Sequence, residues 1–229
     1  MKTLRLTFFC IAWLVGELHA GTIRGTVRAE GPAPAGEAGG GKYDSRKFKF
    51  AERVNYDELR DFVVYIDGLV PGKPCGSNQV VSVETRRISQ HGAAFTPHVL
   101  PVVAGTTVEW PNNDDIFHNV FSMSDAKPFD LGLYKSPEVK RVTFDQAGRV
   151  DVFCSIHASM SCVVLVLPNP CFSVSDDSGH YRIADVPAGK YKLKAWHERM
   201  PALTQEITVP ESGEIEVNLV LRVNSLPKY

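Results

Sequence analysis

The chain has 229 residues, enough for two small all-β domains or for one domain with a large insertion. Its hydrophobic content of 44% and charged content of 22% are those of a globular protein and exclude a disordered one. With 25 basic and 26 acidic residues the formal net charge is -1, so no global field attracts nucleic acid and no such partner is expected.

Residues 1–20 read as an export signal. Met1-Lys2-Thr3-Leu4-Arg5 is a short cationic start, Leu6 to Val15 is apolar, and small Ala20 precedes a cleavage point at Gly21. The apolar run is too short to cross a hydrocarbon core of about 30 Å. The expectation is a periplasmic or secreted protein with no transmembrane segment after cleavage. Cys10 leaves with the signal, so Cys75, Cys154, Cys162 and Cys171 remain. Thiols in an exported protein usually pair. Cys162 and Cys171 could bridge to each other or to Cys75, and spacing does not choose among these.

Residues 21–29 (GTIRGTVRA) alternate as a half-buried strand does. Residues 31–42 (GPAPAGEAGGGK) form a Gly/Pro/Ala-rich loop, and the charged stretch to Arg60 holds at most one short helix, around Tyr56 to Arg60. Strands are then expected over Phe62–Ile66, Val80–Ile88, Val99–Val102, Thr106–Trp110, Phe117–Ser122, Val139–Phe144, Arg149–Cys154 and Cys162–Leu167. The tail adds Phe172–Ser175, Tyr181–Ala184, Tyr191–Trp196, Gln205–Val209 and Glu214–Arg222. Short strands separated by turn residues, with no amphipathic helix, define an all-β sandwich or barrel. Pro168-Asn169-Pro170 marks a boundary between two β units.

Two segments concentrate metal-binding side chains. PNNDDIFHNVFS (111–122) centres on His118, and VFCSIHASMSC (152–162) supplies Cys154, His157 and Met160 in a Cys-x2-His-x2-Met pattern. Cys154 ends an alternating strand and Cys162 opens the next, so the loop between them turns three side chains toward one point. A thiolate, two imidazoles and a thioether are the donor set of copper electron-transfer sites. Zinc competes for Cys and His, but Met is a poor zinc ligand and a second thiolate would have to come from Cys162 or elsewhere. Copper is preferred.

The stretch from Val99 to Leu167 resembles cupredoxins of the plastocyanin and amicyanin family. The residues that carry the resemblance are GTTVEWPNNDDIFHNVFS, FDLGLY, VTFDQAGRVDVFC and CSIHASM. It implies a Greek-key β-sandwich holding one type 1 copper, with His118, Cys154 and His157 in plane and Met160 axial. It also implies that Asn119 ties its loop to the Cys154 loop. The tail, FSVSDDSGHYRIADVPAGKYKLKAWHE, is similar to a carboxypeptidase-regulatory-like (transthyretin-like) β-sandwich. The whole chain resembles the cupredoxin proteins of the methylamine utilisation type. The expected division is a signal at 1–20, N-terminal strands and loop at 21–70, a cupredoxin domain at 75–168 and the smaller sandwich at 169–224. GTIRGTV and FVVYIDGL also resemble the first strands of that smaller sandwich. If the cupredoxin unit is an insertion, residues 21–29 must pair with strands within 171–222.

Other candidates read more simply. His98 is expected to be a buried, hydrogen-bonded histidine rather than a fifth ligand, His91 and His180 solvated, and His197 packed in the tail. Asp114 and Asp115, like Asp176 and Asp177, are expected to do turn chemistry rather than acid/base work. The resulting expectation is a non-enzymatic carrier of single electrons between exported redox proteins, with the edge of His157 as the exit, amid Ser155, Ala158 and Ser159. The same ligands would serve copper storage or delivery. A copper oxidase or nitrite reductase would need a further His-rich open site, and the four remaining histidines are scattered. A sandwich with an idle metal site, serving adhesion or carbohydrate binding, is the remaining reading.

Overall fold

A computed structural model describes residues 20–31, 54–72, 75 and 86–223. The signal at 1–19, most of the Gly-rich stretch and the first part of the strand expected at Val80–Ile88 lie outside the described residues. Among the described residues, eighteen strands follow in order. They are β1 (Ala20–Glu30), β2 (Val63–Asp67), β3 (Arg86–Arg87), β4 (Ser89–His91), β5 (Ala94–Thr96), β6 (Val99–Val103), β7 (Thr106–Pro111), β8 (His118–Ser122) and β9 (Phe129–Tyr134). The others are β10 (Val139–Phe144), β11 (Gly148–Phe153), β12 (Ser161–Leu167), β13 (Phe172–Val174), β14 (His180–Pro187), β15 (Gly189–His197), β16 (Met200–Val209), β17 (Glu214–Glu216) and β18 (Leu219–Arg222). Among the described residues the one helical element is a 3-10 turn at Tyr56–Glu58. The protein is an all-β sandwich fold.

The first sandwich joins the two ends of the described chain. β1 pairs antiparallel with β14 and parallel with β17 and then β18, while β13, β2, β15 and β16 form the second sheet. This is the pairing an insertion requires: the strand at 20–30 lies against 180–187 and 214–222. Alternation dictates the facing. In β15, Tyr191, Leu193 and Ala195 are buried, while Lys190 and Lys192 are exposed. The strand expected over Glu214–Arg222 is two strands. The ladder to β1 is interrupted at Val217 and Asn218, where the Thr26 N–H and hydroxyl both donate to Asn218 Oδ1 at 2.9 Å. Only glycine fits opposite the interruption, since a Cβ on Gly25 would overlap the Val217 carbonyl.

The second sandwich is built wholly between β2 and β13. One sheet runs β6-β12-β11-β8-β9, the other β10-β7-β3, and β4–β5 is a separate hairpin. Trp110, Phe144, Val150, Val152 and Val164 form its core. Strands β4, β5 and β9 were not expected, because SQH and AFT are too short to show a period and FDLGLY is interrupted by Gly132 at φ 66°.

Strands β2 and β12 join the two units, and both read as unbroken apolar runs because both of their faces are buried. In β12, Cys162, Val164 and Val166 face the second core, whereas Leu165 and Leu167 pack with Val63, Tyr65 and Val99 at the junction, against Phe172 and Trp196. Polar contacts reinforce that junction. His98 Nε2 meets Glu198 at 2.8 Å, and Arg149 donates to the Glu198 carbonyl at 3.2 Å with its guanidinium 5.8 Å from the Trp196 ring.

Candidate metal centre

The site is assembled by strand register and one short loop. β11 meets β8 at Phe153 and Phe121, which brings Cys154, the next residue, beside the start of β8. There the Asn119 N–H points at Cys154 Sγ, 3.5 Å away. The loop from Cys154 to Met160 is closed by its own backbone: Cys154 N–H donates to the Met160 carbonyl at 3.1 Å, and Met160 N–H to the His157 carbonyl at 3.0 Å. Those two bonds fix three of the four expected ligand residues relative to one another.

His118 Nδ1 and His157 Nδ1 lie 3.1 Å apart, and Cys154 Sγ lies 3.6 Å from His157 Nδ1. One donor atom from each of the three residues falls within 4.8 Å of the others, the one such His/Cys/Asp/Glu group among the described residues. His118 and Cys154 are buried, and His157 is half-buried. Met160 is buried in the same core as Cys154. Two ring nitrogens and a sulfur converging on one point, with an N–H aimed at the sulfur, suit a soft or borderline cation with a thiolate ligand. They do not suit the octahedral oxygen cage that magnesium or calcium takes. The donor set fits copper.

Around the cluster the environment is asymmetric. His118 is walled off, while Ile116, Phe117 and Ile156 are about half exposed, and Ser155, Ala158 and Ser159 are exposed beside His157. Of the two rings, His157 therefore faces the outside.

Several expectations need correction here. Asp114 is not a turn residue alone: its Oδ2 sits 2.8 Å from His118 Nε2. The Asx turn belongs to Asn112, whose Oδ1 accepts the Asp114 N–H, leaving the Asp114 carboxylate free for the ring. Burial acts to raise the Asp114 pKa, but the Ala93 N–H, the His118 ring and the Gly92 N–H together hold it at about 2. The i,i+4 spacing of Asp114 and His118 is the signal that sequence reading passed over. Asn119 does approach the Cys154 loop, through its backbone N–H toward the sulfur, while its side chain donates to Asp130 Oδ1 at 2.7 Å in β9.

His98 lies outside the cluster and, contrary to expectation, is exposed rather than buried, because its partners, the Ser161 carbonyl and Glu198, hold it at the surface. His197 is buried against Phe62, as expected of a packing residue. Asp176 caps its own turn by accepting from Ser178 and His180 N–H. The disulfide is Cys75–Cys171, and Cys162 is a free thiol that burial pushes well above the ordinary range.

Residues 81–167 match the family described as copper binding proteins, plastocyanin/azurin family. That stretch contains β3 to β12 and all four expected ligands. No curated protein matches the chain. Among solved structures, a copper-containing nitrite reductase from Thermus scotoductus SA-01 is 29% identical over 35% of this chain and 22% of its own, with a TM-score of 0.34. The chain thus spans about a fifth of that enzyme. A purple cupredoxin from Nitrosopumilus maritimus is 26% identical over 35% of this chain and 98% of its own, at a TM-score of 0.32. A reduced amicyanin variant is 24% identical over 43% and 96%, at 0.34. These TM-scores lie below 0.5, and nothing about function rests on them.

Proposed function

We propose that this protein carries single electrons by means of one type 1 copper ion, which His118 Nδ1, Cys154 Sγ and His157 Nδ1 would hold together with the Met160 thioether. The observation that carries the reading is the convergence of those two nitrogens and one sulfur in a buried, preformed cluster. A copper ion held there supplies a one-electron change between its two valences. The residues keep the site rigid through the two backbone bonds of the 154–160 loop, so little rearrangement accompanies the change. Asn119 N–H offsets charge on the sulfur. The burial of His118 and the partial exposure of His157 make the His157 edge the exit, and Ile116, Phe117 and Ile156 give a redox partner an apolar surface on which to seat.

The partners are other exported redox proteins, one donor and one acceptor, and the protein acts in the periplasm or outside the cell, as the sequence of residues 1–20 suggests. No helix among the described residues is long and apolar enough to cross a membrane. The chain is not itself an enzyme in this reading, since the donor set is filled by protein side chains and leaves no position for substrate. Residues 75–168 are the cupredoxin domain. It is inserted into a carboxypeptidase-regulatory-like (transthyretin-like) sandwich formed by the strands on either side of it, in a protein of the methylamine utilisation type.

The test is spectroscopic. Copper(II) added to the signal-free protein should give an intense visible thiolate charge-transfer band at one ion per chain, and Cys154→Ser should abolish it. Retention of the band in that variant would sink the reading. Storage or delivery of copper uses the same side chains, but it predicts fast metal exchange and slow electron self-exchange, the reverse of the carrier.

A further inference from the structure

Asp114 is fastened more thoroughly than a turn requires. Its N–H donates to Asn112 Oδ1 at 2.9 Å, and its carbonyl accepts from Ser136 N–H at 3.4 Å. Its carboxylate accepts from Gly92 N–H at 2.8 Å and Ala93 N–H at 3.0 Å, with His91 Nδ1 a further 3.2 Å contact. Gly92 and Ala93 are the two residues between the paired His91 and Ala94, and both have positive φ, 61° and 53°. A two-residue hairpin turn of this hand aims consecutive N–H groups at one point, and a carboxylate fills that point. The β4–β5 hairpin therefore clamps Asp114 from one side and its own turn from the other.

The remaining contact of that carboxylate is the 2.8 Å approach to Nε2 of the fully buried His118. A neutral imidazole carries one N–H, and the partner of each nitrogen decides which one holds it. An ionised carboxylate can only accept, so the proton must sit on Nε2. Nδ1 is then a bare lone pair, 3.1 Å from His157 Nδ1.

We propose that Asp114 is a positioning residue for the metal centre, which fixes His118 in the Nε2–H tautomer and turns Nδ1 toward Cys154 and His157. The inference rests on the copper reading and extends it. Through the ring, the Asp114 charge strengthens donation from Nδ1, which favours the more highly charged metal and lowers the reduction potential.

Long-range nitrogen–proton NMR of the metal-free full chain, at a pH where the ring is neutral, reads the tautomer directly. Wild type should show His118 protonated on Nε2. Asp114→Ala should mix the two tautomers, bind copper about 10- to 100-fold more weakly and raise the potential. Asp114→Asn retains an acceptor oxygen but no charge, so it should keep the tautomer while still raising the potential. A purely structural role would lower the melting temperature without separating Asn from Ala in tautomer or potential. If Asp114→Ala does not fold, the wild-type tautomer and the Asn variant decide. A wild-type ring proton on Nδ1, or a folded Ala variant that binds copper within about twofold of wild type, overturns the proposal. An Nε2–H tautomer in a protein that gives no thiolate–copper band would instead overturn the copper reading alone.

Discussion

At the scale of residues, the four expected ligands differ in how firmly each is tied to the site. Cys154, His157 and Met160 share one loop closed by two backbone bonds, whereas His118 arrives on another strand. The sulfur of Met160 is the donor with the weakest hold on a metal, so its removal separates ligation from packing. Met160→Leu conserves volume in a fully buried position and should cost less than about 1.5 kcal/mol of stability. A thioether lone pair stabilises the higher valence more than the lower, so its loss should raise the reduction potential. Voltammetry of the variant beside wild type checks this, and an unchanged potential would remove Met160 from the ligand set. The Cys-x2-His-x2-Met spacing was legible in sequence because all three residues lie on one loop. The Asp114–His118 pair was not singled out because Asn112, Asn113, Asp114 and Asp115 all look alike as turn formers, and only the backbone shows which of them makes the turn.

At the scale of elements, one cross-strand arrangement holds the smaller sheet of the second sandwich together. Glu109 on β7 lies in register with Arg87 on β3 and with Arg141 on β10. It bonds Arg87 at 2.9 Å and the Arg141 Nε at 3.0 Å. The two guanidinium groups keep the Glu109 carboxyl below the usual carboxylate range. A carboxyl depressed in the folded state stabilises the protein above its unfolded pKa of about 4.3 and loses that contribution as pH falls through the folded value. The urea midpoint of wild type should therefore exceed that of Glu109→Gln near neutrality, with the gap closing as the solution is acidified below about pH 4. A gap independent of pH would show that the pairing is geometric rather than ionic. Strand order at this scale was only partly readable. The long alternating strands declared themselves, while β4, β5 and β9 are too short, polar or kinked to show a period.

At the scale of the molecule, the two sandwiches meet through strands with two buried faces and through a covalent tie. Cys75 and Cys171 bracket the chain of β3 to β12, and their sulfurs lie in the core of the outer sandwich. Their sequence separation of 96 means the bridge removes much chain entropy from the unfolded state, about 4.7 kcal/mol in the loop-closure treatment for a loop of this order. Replacing both cysteines by serine should lower the unfolding free energy by about 2–5 kcal/mol. The copper band should survive in the fraction that remains folded. Calorimetry with and without a reductant on wild type should show the same loss. Equal melting temperatures would mean that the bridge does not form in solution.

What the amino-acid order determined by itself is the chemistry that stays local. Period-two alternation, turn residues and a three-ligand loop are written within a few positions of one another, and so the β class and most of the candidate site could be read directly. Tertiary structure alone decided the long-range matters: the pairing of β1 with β14, β17 and β18, the choice of Cys171 over Cys162 for Cys75, and the reach of a hairpin turn to Asp114. These depend on which distant segments share a register or a core. That outcome follows from burial summed over the whole chain, and no single window of sequence contains it.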